Sequence, residues 1–483
     1  MLLKKNTKNL FALFFIFIIS RVLLIKFLGV KFEYDWIFQM WHFIDIELLK
    51  NKMLESIYYF HYQPPLFNLF LGLIHKQSFI SPSVLLQAFF YSLTYLMGVL
   101  IFILSQKIGN KNIISFLVTV LFYSFPETII YENWPIYTWT SSFLLIFSFY
   151  CLDSFVVNKK SSYLHLFFSS QLILILTRSA FHPIFFIFWF FYLLIVLKEA
   201  RLRLTKIFII YFSFFLIICF KNFYEFGFFG LGSGLGFSLY KISPKVTLTE
   251  NRKKDLNLDP VFNIVPVRSI STYGFDDKNI PSKFSQIDIL NREFKSTLGQ
   301  FSEEFSVNLG NFHYLDISKR YQKSAIAMIK NFPVEYLKRV LRGMIMFFKP
   351  TWDHGFGVSD NAQTLKPLIN IITFHQIRLE IESVFVSSEK PWPLKTEIPF
   401  SSYLFIPIFY LITLFSIIKL QLFNRRNIQY MFFVYCLVYL ISVSNLIELA
   451  ENDRYRVMID PLVYLVAVVV FSKLFSSKNV ESD

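Results

Sequence analysis

Apolar residues fall along this chain in long runs separated by short basic, polar or aromatic segments, the pattern of helices that cross a bilayer repeatedly. The first run, Leu10 to Leu28, follows Lys4, Lys5 and Lys8 and is too long and too poorly terminated for a cleaved signal peptide. It reads as an uncleaved first helix. Further spans are predicted near Pro82 to Ser105, Ile113 to Phe125, Ile136 to Val156, Tyr163 to Leu176, Phe181 to Leu197, Ile207 to Phe220, Tyr403 to Leu420, Tyr430 to Asn445 and Val457 to Phe471. Pro65 to Ile74 offers only about ten residues, half of what hydrocarbon requires, and is expected to lie in the interface. The predicted class is an α-helical polytopic membrane protein of about ten transmembrane helices with interfacial helices.

Parity decides the orientation. With a cytoplasmic N-terminus and a Pro65 segment that does not cross, Lys107, Lys111, Lys159, Lys160, Lys198, Arg201, Arg203, Lys206, Arg425 and Arg426 all fall inside, as does the C-terminus. A crossing there would invert every downstream cluster. The outer face then receives Lys31 to Pro64, Pro126 to Pro135, the turn around Arg178 to His182, Lys221 to about Pro399, and Glu448 to Arg456. The expected division is a membrane module over residues 1–222 with outer loops 31–64 and 126–135, an outer-face segment over 223–399, and closing membrane helices over 400–483. The outer segment is too long for a plain loop. From His313 it has helical spacing, Pro333 is placed to begin a second helix, and another amphipathic stretch is expected between Thr364 and Ser388. A mainly helical segment over the outer face is predicted.

Composition sharpens this picture in three places. Over 483 residues, 54% hydrophobic and 20% aromatic usage argues against a soluble enzyme. The net charge of +15 invites a nucleic-acid partner, but the basic residues gather between apolar runs as orientation signals do, and no nucleic acid is expected. Cys151, Cys219 and Cys436 all lie in apolar runs and form neither a disulfide framework nor a metal site. The GLGSGLG stretch near residue 233 has the glycines of a phosphate cradle, but a membrane helix precedes it where a strand is needed, so a nucleotide loop is not expected.

Candidate chemistry sits on the predicted outer face. In the first loop Asp35, beside Tyr34, Trp36 and Trp41, is a carboxylate at the membrane surface able to take a proton from an attacking hydroxyl or amine. The bland alternative is solvated acids paired with Lys31 and Lys50. His61 and Gln63 precede two prolines that fix the chain's direction. In the second loop Glu127, Glu132 and Asn133, flanked by Tyr131, Trp134 and Trp139, make either a sugar-binding wall or an interfacial aromatic belt. Arg178 with His182, and Arg454 with Arg456, stand at outer ends of spans where the positive-inside rule does not favour arginine. Holding a lipid phosphate is one reason for them, and pairing with Glu448, Glu451 or Asp453 is the other. Arg21, within the first span near its outer half, adds a further candidate, with snorkelling as the alternative.

A first helix with Arg in its outer half, then an outer loop that opens on an acid and closes on Gln63-Pro64-Pro65-Leu66, resembles the membrane-embedded C-type glycosyltransferases, notably the family of protein mannosyltransferases and aminoarabinose lipid A transferases. The resemblance implies a catalytic Asp at Asp35 and a second acidic position at Glu132. Lys221-Asn222 before a Gly/Ser stretch, and Arg454-Tyr455-Arg456 ahead of Asp460-Pro461, also look like family features. The family's Asp-Glu pair is absent, because Asp35 is followed by Trp36. What the resemblance implies is inverting transfer of a sugar from a polyprenyl-phosphate donor to an envelope acceptor (lipid, polysaccharide or protein) at the outer face of a bacterial inner membrane; some members of the family need a divalent metal, but the sequence has no tight acidic cluster, so no obligatory metal or other cofactor is expected. Arg178, Arg454 or Arg456 would bind the donor phosphate with help from His61. A flippase for lipid-linked sugars and a non-catalytic membrane scaffold are the rival readings, and the first of these would be expected to show internal repeats that the sequence lacks.

Overall fold

The computed structural model of the chain describes residues 6–107, 110–275, 280–296, 307–348, 360–365, 378–381, 396–420, 422, 427–449 and 451–478. Lys4, Lys5, Arg425 and Arg426, and most of the stretch predicted as amphipathic after Thr364, lie outside the described residues. The N-terminal half runs α1 (Thr7–Leu28), the short α2 (Trp36–Gln39), α3 (Ile46–Asn51) and α4 (Met53–Tyr59), then α5 (Leu66–Lys76), α6 (Pro82–Lys107), α7 (Asn112–Ser124), α8 (Pro126–Glu132), α9 (Tyr137–Asn158), α10 (Ser161–Thr177), α11 (Pro183–Val196) and α12 (Arg201–Phe226). The outer segment contributes α13 (Leu235–Ile242), α14 (Glu250–Asp255), α15 (Asp288–Asn291), α16 (His313–Asn331), α17 (Pro333–Phe347), α18 (Asp360–Thr364) and a two-stranded antiparallel pair, β1 (Arg378–Ile381) with β2 (Thr396–Pro399). The chain closes with α19 (Phe400–Lys419), α20 (Ile428–Ile447) and α21 (Asn452–Lys478).

Among the described residues, six helices are long and apolar enough to cross a membrane: α1, α6, α9, α12, α20 and α21. The protein is thus an α-helical membrane protein. The predicted span from Ile113 to Phe125 takes a different form, because α7 stops at Ser124 and the chain bends by 60° into α8; counted as one span, that pair makes a seventh. Pro126 explains the bend, since it lacks an N–H and displaces the residue before it from helical geometry, yet is well suited to start a new helix. The second outer loop is therefore mostly a buried helix. At 17 and 14 residues, α10 and α11 fall short of the crossing length on their own. The Pro65 segment forms the 11-residue α5, about 16 Å long at 1.5 Å per residue, too short to cross. The last helix begins at Asn452, ahead of the predicted Val457, so Arg454 and Arg456 stand on a helix and not in a loop.

Packing follows from which faces are small or polar. On α1 only Leu13, Phe17 and Arg21 are buried, a seam of spacing four, and the rest of the helix exposes apolar side chains such as Phe15, Ile19 and Leu23. At the centre, α9 packs against α6, α10, α20 and α21. Hydrogen bonds between helices hold it there: Trp139 Nε1 donates to Thr94 Oγ1 at 2.8 Å and Ser142 Oγ to the Val457 carbonyl at 3.0 Å. Gly98 lets α6 and α7 close, since a Cβ there would stand 2.2 Å from Tyr123 Oη, which donates to the Tyr95 carbonyl.

Over the outer end, α13 lies on α16 at a distance only glycine permits. A Cβ on Gly236 would fall 1.8 Å from the Ser318 carbonyl oxygen. Gly236→Ala is expected to force these helices apart and lower stability by about 1–3 kcal/mol. Gly230→Ala, whose Cβ would meet only the Phe228 ring at 3.8 Å, should leave thermal unfolding in detergent unchanged. Equal melting temperatures for the two variants would refute this packing.

Candidate functional site

Two buried charge groups lie at ends of the membrane helices, and the first is structural. Arg21 reaches from α1 to Glu132 at the end of α8 in a two-pronged pair, Nε to Oε1 at 2.7 Å and Nη2 to Oε2 at 2.8 Å, while Nη1 donates to the Tyr123 carbonyl at 3.0 Å. Its guanidinium also rests 4.3 Å from the Phe17 ring centre. Arg21 thus points inward, and both oxygens of Glu132, expected as a second catalytic acid, are committed to it. Glu127 accepts from Arg456 Nη2 at 3.0 Å, and Arg456 Nη1 reaches Asp460 at 2.6 Å, which Tyr410 also approaches, so Arg456 fastens α8 and α19 to α21. Asn133 is likewise engaged: Oδ1 accepts from Tyr91 Oη at 2.9 Å, Nδ2 donates to the Ile129 carbonyl at 2.8 Å, and its own carbonyl accepts from Glu33 N.

The first outer loop is pinned at both ends. At its start Asn361 of α18 exchanges hydrogen bonds with the backbone of Lys31, at 2.8 and 2.7 Å, and donates its own N–H to Glu33 Oε1. Asp35 follows as an exposed turn residue preceding α2. Its neighbour Trp36 packs edge-on against Trp134 with ring centres 6.0 Å apart, so the first loop and the α8–α9 turn share one side of the protein. Asp45 caps α3 and accepts from Ser296 N and Oγ, which marks it as structural. At the far end His61 is buried, not exposed as its loop position suggested, and its Nδ1 lies 2.9 Å from Ser233 Oγ. The glycine-rich stretch takes its composition from this contact. A Cβ on Gly232 would lie 2.7 Å from the Tyr62 carbonyl oxygen, so the GLGSGLG segment is a close backbone crossing. Gln63 accepts from Ser179 Oγ at 2.8 Å, beside Arg178, and His182 caps α11 by accepting from Ile184 N at 3.3 Å.

The second charge group lies where the first loop, the α8–α9 turn, α13 and the α20–α21 turn meet. Arg178, which ends α10, is buried with its guanidinium 4.4 Å from the Tyr455 ring centre and 5.1 Å from that of Tyr137. Arg454, fully buried, lies 5.9 Å from the same Tyr137 ring and 5.3 Å from Trp134. Its Nη1 donates to Glu451 Oε2, but among the described residues Nε and Nη2 have no hydrogen-bond partner. Lys241 of α13 pairs with Glu448 at 3.0 Å, and Ser238 Oγ donates to the same carboxylate. His42 completes the set, its ring 6.1 Å from Tyr137 and 6.2 Å from Tyr62, and both its Nδ1 and Glu451 Oε1 are buried without a protein partner.

Electrostatics sorts these groups. Burial holds His42 neutral, its pKa lowered to about 3 despite the pull of Glu451. Burial alone would raise the Glu451 carboxyl, but Arg454 and Lys241 outweigh it and hold the pKa at about 2. Burial pushes Glu448 up, with Lys241 opposing. Arg178, Lys241 and Arg454 therefore face two carboxylates, one of them firmly ionised. Asp453 adds a third buried carboxylate, its Oδ1 accepting from Arg454 N at 3.0 Å, while two Arg454 side-chain nitrogens stay unused in a low-dielectric setting, where an oxygen-rich anion is a fitting complement.

Of the sequence candidates, Arg178 and Arg454 come together here, and Trp36 links Asp35 to them through Trp134. Glu127, Glu132, Asn133, His61, His182 and Arg456 are held in structural contacts elsewhere. Lys241 and His42 were missed; neither stands in a motif, and only the meeting of α13 with the α20–α21 turn brings them in. Among the described residues no group of three His, Cys, Asp or Glu side chains is placed to hold a metal ion. Comparison with family models, curated proteins and solved structures gives no match.

Removing one member of the Arg21–Glu132 pair strands a buried charge. Arg21→Leu is expected to cost about 3–5 kcal/mol, and adding Glu132→Leu should restore much of it. A double variant no more stable than Arg21→Leu in thermal unfolding would contradict this coupling.

Proposed function

We propose that the chain is a glycosyltransferase that moves a sugar from a polyprenyl-phosphate donor to an envelope acceptor at the outer face of a cell inner membrane. The observation that carries this reading is the half-used guanidinium of Arg454, buried on Trp134 and Tyr137 beside Arg178. A phosphate there would take the two unused nitrogens of Arg454 in charge-assisted hydrogen bonds. The resemblance of the first outer loop to C-type glycosyltransferases supplies the reaction. In this reading Asp35 takes the proton from an acceptor hydroxyl or amine. The acceptor atom then bonds to the anomeric carbon as the bond from that carbon to the phosphate oxygen breaks, and the lipid phosphate leaves with the electron pair. Arg178 and Arg454 stabilise the charge that gathers on it. Because the group is buried, donor binding requires the first outer loop to part from the α20–α21 turn. The reading needs no metal.

Asp35→Asn is expected to lower turnover about 100-fold or more while donor binding persists, since a positioned base contributes factors of that size. Arg454→Lys, which keeps the charge and loses the fork, should raise the donor concentration needed for half-maximal rate about tenfold. Both are read with purified protein and a synthetic polyprenyl-phosphate sugar. Normal turnover in Asp35→Asn removes the base, and an unchanged donor requirement in Arg454→Lys removes the phosphate site.

This reading carries a ten-span topology, in which the bent α7–α8 pair, α10, α11 and α19 join the six long helices, with both termini cytoplasmic. In it α10 crosses between Lys159 and Ser179, both exposed. Single cysteines at the two positions should react with a membrane-impermeant reagent from opposite sides of sealed vesicles. Labelling of both from one side would refute the crossing of α10.

A further inference from the structure

The buried charge group has an open neighbour on the same helix. Tyr240, adjacent to Lys241, turns the other way and walls a cavity of about 210 Å³ between α13, the 244–248 strand of loop, α14 and Phe262. Its polar lining is Lys245, Thr247, Lys253 and Asn263, and no carboxylate is part of it. The Lys245 ammonium stands 3.0 Å from the Tyr240 ring centre and 4.9 Å from that of Phe262, and the two rings meet edge-on at 5.1 Å. Among the described residues no carboxylate pairs with it. Lys253 is tied only to Glu250, at 2.7 Å and largely exposed, a contact that contributes little in water.

One lysine over aromatic walls and a second paired with exposed Glu250, with a hydroxyl and an amide at the margin and no acid in the lining itself, make an environment for a small anion attached to a polyhydroxylated body. The volume suits one sugar ring, not a polymer. Burial and the nearby Arg339 charge push the Lys245 pKa down from the usual lysine range, although its side chain reaches solvent, and a bound anion would relieve that strain. Arg339 itself is spent on the carbonyls of Lys241 and Ile242, so it adds charge without closing the cavity.

We propose that this cavity binds a single anionic sugar residue, one carrying a carboxylate or a phosphate, through Lys245 and Lys253. Its role as the recognition point for a charged envelope acceptor rests on the transferase reading; the binding itself does not. Two features of the fold favour the acceptor assignment. The cavity opens from the outer segment, and α13 presents Tyr240 to it and Lys241 to the buried group, so occupants of the two would be held by neighbouring residues of one helix.

Titration calorimetry on the full chain in detergent, without donor, tests this with glucuronate, glucose 6-phosphate, glucose and inorganic phosphate. Both charged sugars should bind at least about tenfold more tightly than either glucose or inorganic phosphate. Lys245→Ala and Lys253→Ala should each weaken the charged sugars about tenfold, Lys245→Arg should retain them, and melting temperatures should stay unchanged. Absent binding of both charged sugars, equal binding of glucose, or phosphate binding as tight as glucose 6-phosphate would each overturn the proposal. An inert transferase that still binds glucuronate through Lys245 would refute the catalytic reading alone, and an active one that ignores it would refute the cavity alone.

Discussion

Charge that must be buried at the ends of apolar helices is the constraint on which this structure depends. In such a setting an unpaired ion costs several kcal/mol, so each buried arginine selects its neighbours. Arg21 draws α1 to α8, although α1 otherwise offers the protein only a narrow apolar seam. Arg456 draws α8 to α21 through Glu127, and Lys241 draws the outer segment down onto the α20–α21 turn through Glu448. The helices are gathered at one end by ion pairs and along their lengths by small residues and hydroxyls.

The same constraint fixes the first outer loop. Its acids and aromatics would be free to wander if only solvation acted on them, but the backbone is held by Asn361 and Asn133 at one end and by the glycine crossing at the other. Between those anchors Trp36 and His42 are laid against Trp134 and Tyr137. Asp35 stays exposed, as do Glu47 and Glu55 further along.

Much of the architecture was legible because it rests on local pattern. Run length gave the long helices, Pro333 marked the start of α17, and the brevity of the Pro65 run forecast a helix too short to cross. The bend after α7 was written in Pro126 but read as a loop, because flanking acids and aromatics suggested an interface when they in fact face protein. The pairing of residues was not legible. Arg21 and Glu132 were each recognised as unusual, yet their partnership spans 111 positions and follows from how α1 and α8 pack. The same holds for Lys241 and His42, ordinary in their own segments and unusual only where four segments meet.

The buried arginines separate fold from function by how completely they are used. Arg21 spends all three nitrogens on Glu132, Tyr123 and Ser20, and Arg456 divides its fork between Asp460 and Glu127. Arg454 gives one nitrogen to Glu451 and leaves two without a hydrogen-bond partner among the described residues, at zero exposure. An unsatisfied buried donor costs about 1–3 kcal/mol, and an apolar residue of similar volume at this position would avoid that cost altogether. Packing alone therefore does not account for an arginine at this position, in contrast to Arg21.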